Sequence, residues 1–187
     1  MRSTRSLACL LAFIATPASA SIARGLSVEE MAQQADAVVM GRVTSQAPHW
    51  SRSHRQIFTW VEVRVEASWV GRLGVADSLT VLRPGGELDG IGQTVLGEPT
   101  FAVGEQVVLF LQRRNHIYRV LGMSQGLFRV NGSAAVQELG NLALARPGPT
   151  GDLSIGKHGE GAEPPQSLAA LERRVRAAAG VGARTVP

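Results

Sequence analysis

The sequence predicts a mainly β protein: five or six short strands in a small antiparallel barrel or sandwich, with a short helix before them and another after. Three observations carry this reading. IFTWVEVRVEASWVG (57–71) alternates apolar and polar side chains, the period of a strand with one face in a core and the other in water. QVVLFLQRR (106–114) is a continuous apolar run fit for a central strand. Glycine-bearing turns recur between such runs, and no long helical pattern interrupts them.

Taken in order, Ser27-Val28-Glu29-Glu30 forms a capping box, because the Ser27 hydroxyl can accept from the Glu30 amide while the Glu30 carboxylate reaches back. It predicts a short helix, SVEEMAQQ, with Val28, Met31 and Ala32 buried. ADAVVMGRVTSQ (35–46) then reads as a strand buried on both sides at its start, and Gly41 marks a bend or close backbone approach. APHWSRSHRQ (47–56) is polar and loop-like. In the long strand that follows, Ile57, Thr59, Val61, Val63, Val65 and Ala67 share one face, and Phe58, Trp60, Glu62, Arg64 and Glu66 share the other.

DSLTVLRP (77–84) is the next strand. A glycine-rich excursion follows, in which Pro84-Gly85-Gly86 ends the strand, Ile91 to Leu96 form a short strand or β-arm, and Gly97-Glu98-Pro99 turns the chain back. Val103-Gly104-Glu105 turns into the central strand, Asn115-His116 connects it to IYRVLG, and GLFRVNG is one more strand. Glycine, proline and small polar residues over 133–166 predict a flexible connection. SLAALERRVRAAAG predicts a C-terminal helix over 167–180, with Leu168, Leu171 and Val175 on the stripe that docks on the barrel and Arg173, Arg174 and Arg176 toward water.

MRSTRSLACLLAFIATPASA opens the chain with the charged start, apolar stretch and small-residue end of a secretory signal peptide over 1–20, cleaved near Ala20. Its apolar run is about half of what a bilayer span requires. The expected mature protein is therefore secreted or periplasmic, with a barrel domain over 21–132. Cys9, the sole cysteine, leaves with the signal, which excludes disulfides, thiolate metal sites and cysteine nucleophiles. Formal charge falls from +4 to +2, 17 basic against 15 acidic residues, and the arginines are scattered rather than gathered on one basic face. Nucleic-acid binding is not indicated.

The chemistry-bearing patterns are sparse. The excursion has no lysine for a Walker loop, and Val95 stands where a dinucleotide fingerprint beginning at Gly90-Ile91-Gly92 needs its third glycine. His49, His54, His116 and His158 lack metal-ligand spacing, although His49 and His54 share one loop. There is no nucleophile elbow. Glu87, Asp89, Glu98 and Glu105 could pair for hydrolysis only if the loop over 84–105 folds them into one pocket. No cofactor is expected. Binding is the stronger reading: Trp50, Phe58 and Trp60, with Arg52 and Arg55 beside them, are the groups able to anchor a protein partner or to stack sugars or single-stranded bases.

ADAVVMGRV, TWVEVRVEASWVGRLGVADSLTVL, FAVGEQVVLFLQ and YRVLGMSQGLFRV, in that order, resemble a family of secreted bacterial proteins with no assigned function. More distantly they resemble the netrin-like module of tissue inhibitors of metalloproteinases. The resemblance covers residues 35–131 and implies an OB-like barrel of five strands. In those inhibitors an N-terminal cysteine places its amino group on the protease zinc, a device that a chain starting at Ser21 lacks. The resemblance leaves an accessory role for an exported enzyme, and the export signal, the barrel pattern and the missing catalytic constellations together point to an exported, non-catalytic protein that engages another exported protein, such as a protease.

Overall fold

The computed structural model of the protein describes residues 21–115, 117–148 and 151–182. The expected signal peptide and His116 lie outside the described residues. In chain order the elements are β1 (Ser21–Arg24), α1 (Val28–Gln34), β2 (Ala37–Trp50), β3 (Ile57–Val70), β4 (Ser78–Pro84), β5 (Gly86–Leu88) and β6 (Ile91–Gln93). They continue with β7 (Gln106–Arg114), β8 (Ile117–Val120), a 3₁₀ turn at Met123–Gly126, β9 (Leu127–Asn131) and β10 (Ala134–Gln137). Last come β11 (Leu142–Pro147), β12 (Leu153–Ile155), β13 (Gln166–Ser167) and α2 (Leu168–Gly182). The protein is mainly β with two flanking helices, as the periodicity predicts, but short strands beyond the expected five or six form separate smaller sheets.

Five strands close into a ring in the order β2-β3-β4-β8-β7 and back to β2. All its joints are antiparallel except one: β4 meets β8 in parallel at Val81 and Tyr118. That joint departs from the expected antiparallel arrangement. It arises because β8 pairs antiparallel with β7 and reaches β4 with its other edge. Inside the ring, Val39, Val43, Val61, Val63, Val65, Leu79, Val81, Val107, Leu109, Leu111 and Leu127 make one apolar cluster. Each such side chain, fully buried, contributes about 1.5–3 kcal/mol over an exposed one.

Bulges decide which side chains enter that core. Met40 pairs with Ala67 and Gly41 with Val65, so Glu66 has no partner across β2. The extra residue reverses the alternation of β3. Ala67 therefore leaves the inner face expected for it and joins Trp69, Val38 and Met40 on the outside. A Cβ on Gly41 would lie 2.6 Å from the Arg64 carbonyl oxygen and 2.8 Å from Val63 Cγ1, the close backbone approach that a glycine in this strand predicted.

Both helices pack on that outer side. The capping box is formed: Glu30 N donates to Ser27 Oγ at 3.1 Å, and Ser27 N donates to Glu30 Oε2 at 2.9 Å. Val28 and Met31 of α1 and Leu171 and Val175 of α2 bury against Val108, Phe110 and Phe128. Arg174, expected toward water, instead bridges the helices, with Nε and Nη2 on the two Glu29 oxygens at 2.7 and 3.1 Å and Nη1 on Glu163 at 3.0 Å.

Residues 133–166, predicted as a flexible connection, carry β10, β11 and β12 and end at β13. β10 pairs with β9, and β11 runs parallel to β1, with Leu142, Ala143 and Leu144 buried. Composition misses this because the strands are short and their partners are distant in sequence. Glycines here serve turns: Gly156 N and Gly159 N donate to the carbonyls of Leu144 and Leu142, each at 3.0 Å. Among the described residues no helix is long and apolar enough to cross a membrane.

Candidate functional site

β2 and β3 form a long hairpin that projects past β7. β7 pairs with β2 only from Ala37 to Arg42, whereas β3 pairs with it through Trp50. Ala47–Trp50, expected as loop, is therefore strand, and Pro48 is tolerated because this stretch of β2 is a sheet edge. The tip closes through Ser51 N on the Gln56 carbonyl at 2.7 Å and His54 N on the Ser51 carbonyl at 2.9 Å, with His54 in the left-handed region at φ 52°.

Register then sorts the predicted binding residues. A bulge between Val43 and Ser45 brings Ala47 opposite Trp60 and His49 opposite Phe58 on the outer face, with Leu82 and Pro84 of β4 beside them. The His49 and Trp60 rings lie 4.9 Å apart, centroid to centroid. Trp60 is 44% exposed, while the two helices cover the other end of the hairpin, where Arg176 donates to the carbonyls of Ser68 and Trp69. Trp60 and Phe58 thus share one apolar outer patch with His49, Leu82 and Pro84. Arg52 and Arg55 are exposed at the tip beyond it.

Trp50 belongs to the opposite face. Its Nε1 donates to Asp89 Oδ2 at 2.8 Å, and its ring meets that of His54 at 6.1 Å. The acceptor comes from the glycine-rich excursion, where β5 and β6 pair as a small arm folded against the hairpin. The arm is fastened by Gln93, which accepts from Ile57 N at 2.6 Å and donates to the Arg55 carbonyl at 3.0 Å. Thr59 Oγ1 donates to the Gly85 carbonyl at 2.7 Å. Gly86 has φ 150°, and a Cβ there would stand 2.5 Å from Thr59 Oγ1, so close docking needs glycine.

A second feature was not singled out from the sequence. Arg83 continues the inward-facing row of Leu79 and Val81, opposite Thr59, at the end of the ring that the arm adjoins. With Glu98, Ser124, Leu127 and Arg129 it lines a cavity of about 180 Å³. Arg83 Nη2 donates to Thr59 Oγ1 at 3.3 Å, while its Nε is buried without a partner. Burial lowers the Arg83 pKa, against the attraction of Glu98. Burial also raises the Glu98 pKa, opposed by the positive charges of Arg119 and Arg83. Arg129 is differently placed: burial works to lower its pKa, but the hydrogen bonds it donates to Glu138 and Glu105, with their negative charges, prevail and raise it.

The four excursion acids are dispersed. Asp89 holds Trp50, Glu98 lines the cavity, and Glu105 pairs with Arg129, while Glu87 is exposed on the arm. His49 and His54 contact different tryptophans. Alternation in 57–66 located the outer patch, but the role of Trp50 and the Arg83–Glu98 cavity required contacts between elements that local periodicity does not carry. Comparison of the chain with protein-family models and with curated proteins finds no match to either.

Proposed function

We propose that the protein is an exported, non-catalytic binding protein with an OB-like barrel, which engages another exported protein, such as a protease, through the outer patch around Trp60. The single observation that supports this most is an exposed tryptophan on a strand paired along both edges: Trp60 is 44% exposed, opposite Ala47 and Leu82, with its ring against His49. Large aromatic groups on firm elements are the common anchors of protein recognition. The ring order β2-β3-β4-β8-β7, with its one parallel joint, supports the OB-like reading.

A protein partner is favoured over nucleic acid by the charges around the patch. Glu62 and Glu66 lie on the same strand as Arg64, and Arg42 is already paired with Glu66 at 3.1 Å. A face of balanced charge gives little of the phosphate attraction that single-stranded binding depends on. The test is capture of a defined partner from the exported fraction, repeated with Trp60→Ala and Phe58→Ala. Capture should fall at least about tenfold in Trp60→Ala. Quenching of tryptophan fluorescence by an oligosaccharide or single-stranded DNA, with unchanged protein capture in both variants, would replace this reading by the stacking one.

A further inference from the structure

We propose that the cavity at the end of the ring binds a small monocarboxylate carrying a hydrogen-bond donor, of the size of an amino or hydroxy acid, with its carboxylate on the Arg83 guanidinium and its donor on the Glu98 carboxyl. Arg83 is an underused cation. A guanidinium has five N–H donors, and that of Arg83 makes one long bond, to Thr59, while Nε is buried without a partner. Arg83 is half-buried, and holding its Nε from water without an acceptor is costly, while a carboxylate is the acceptor whose geometry matches the guanidinium fork. Arg83 and Glu98 both line the cavity, and among the described residues no ion pair joins them.

The remaining lining sets the ligand's charge and size. Arg129 is already satisfied by Glu105, by Glu138 and by Thr100, so it adds no free positive charge. Among the lining residues one guanidinium without a carboxylate partner accompanies one carboxyl, with the charge of Arg119 acting on Glu98 from outside the lining, and this set suits a single negative charge with a donor behind it. A cavity of about 180 Å³ has room for about six water molecules, which a ligand of amino-acid size would replace. Val95, Leu96 and Leu127 supply apolar wall for a short side chain. Mouths of β-rings are common places for small-ligand sites.

Thermal unfolding of the purified chain at pH 7 tests this, with L-alanine, L-lactate, alaninamide, trialanine, trialanine amide and inorganic phosphate as probes. L-Alanine or L-lactate should raise Tm in step with the logarithm of its concentration above Kd, by about 3–6 °C at ten times Kd. Alaninamide and phosphate should not. Trialanine acting alone, with its amide silent, would assign the carboxylate to a peptide C-terminus rather than to a free acid. Arg83→Met should abolish the shift. Arg83→Lys, which keeps the charge but not the fork, should weaken it about tenfold and serves if the methionine variant does not fold. Glu98→Gln should weaken L-alanine more than L-lactate, and Trp60→Ala should leave every response intact, separating this site from the outer patch. The proposal is overturned by no concentration-dependent shift with any carboxylate, by phosphate equalling lactate, or by a shift that survives both Arg83 variants.

Discussion

Trp60, Glu98 and Gly41 each make a position-specific claim. Trp60→Ala should change stability by no more than about 0.5 kcal/mol, since the side chain is largely outside the core. A larger loss in denaturant unfolding would make Trp60 structural and remove it as an anchor. Gly41→Val should cost about 2 kcal/mol or more, because the added Cβ meets backbone oxygen, which cannot yield as a side-chain end can. Glu98 has its pKa raised chiefly by burial, so its neutral form is the one the fold prefers. Its contribution is therefore complete below the unfolded pKa and is lost as pH rises through the folded one. Glu98→Gln should accordingly flatten the decline in Tm between mildly acidic and neutral pH and be the more stable protein at neutrality. Parallel Tm–pH curves would contradict this.

Among the elements, the two helices form a lid on the outer side of the ring, and one arginine ties them. The Glu29 pKa is lowered first by its hydrogen bond with Arg174, and the Glu30 pKa first by the Ser27 amide of the capping box. Both contributions are present above the unfolded carboxylate pKa and fade as pH falls through the depressed values. Arg174→Ala should cost about 1 kcal/mol, the low end for a charge network, since Glu29 and Arg174 are each more than a third exposed. It should also reduce the acid sensitivity of unfolding, because Glu29 then titrates nearly as in the unfolded chain. The helices themselves were legible from local signals: a capping box needs only residues three apart, and the stripe of Leu168, Leu171 and Val175 is periodic. The destination of Arg174 was not, because Glu29 lies 145 residues away.

For the molecule as a whole, what the sequence makes legible is what alternation and turns encode locally. β3 and β7 were clear because period and apolar run are written in consecutive residues. The length of β2 was obscured by its polar second half, which is strand only because β3 lies along it. Closure of the ring depends on a single parallel contact between β4 and β8, and the ordering of 133–166 depends on β1 and β9. No local pattern announces such pairings. At the candidate sites the outcome divides the same way. The exposed face of β3 followed from its alternation, Trp50 proved to be the clasp for the glycine-rich arm, and the Arg83–Glu98 cavity emerged only when separate elements were assembled around it.

Whether the outer patch is where the protein recognises its partner is best decided by amide hydrogen exchange of the purified chain, free and saturated with the captured exported protein. The account predicts slowed exchange concentrated in residues 47–50, 57–62 and 80–84, with the helices unchanged. Protection centred instead on β12, β1 or the exposed side of α2, leaving the hairpin as in the free protein, would contradict it.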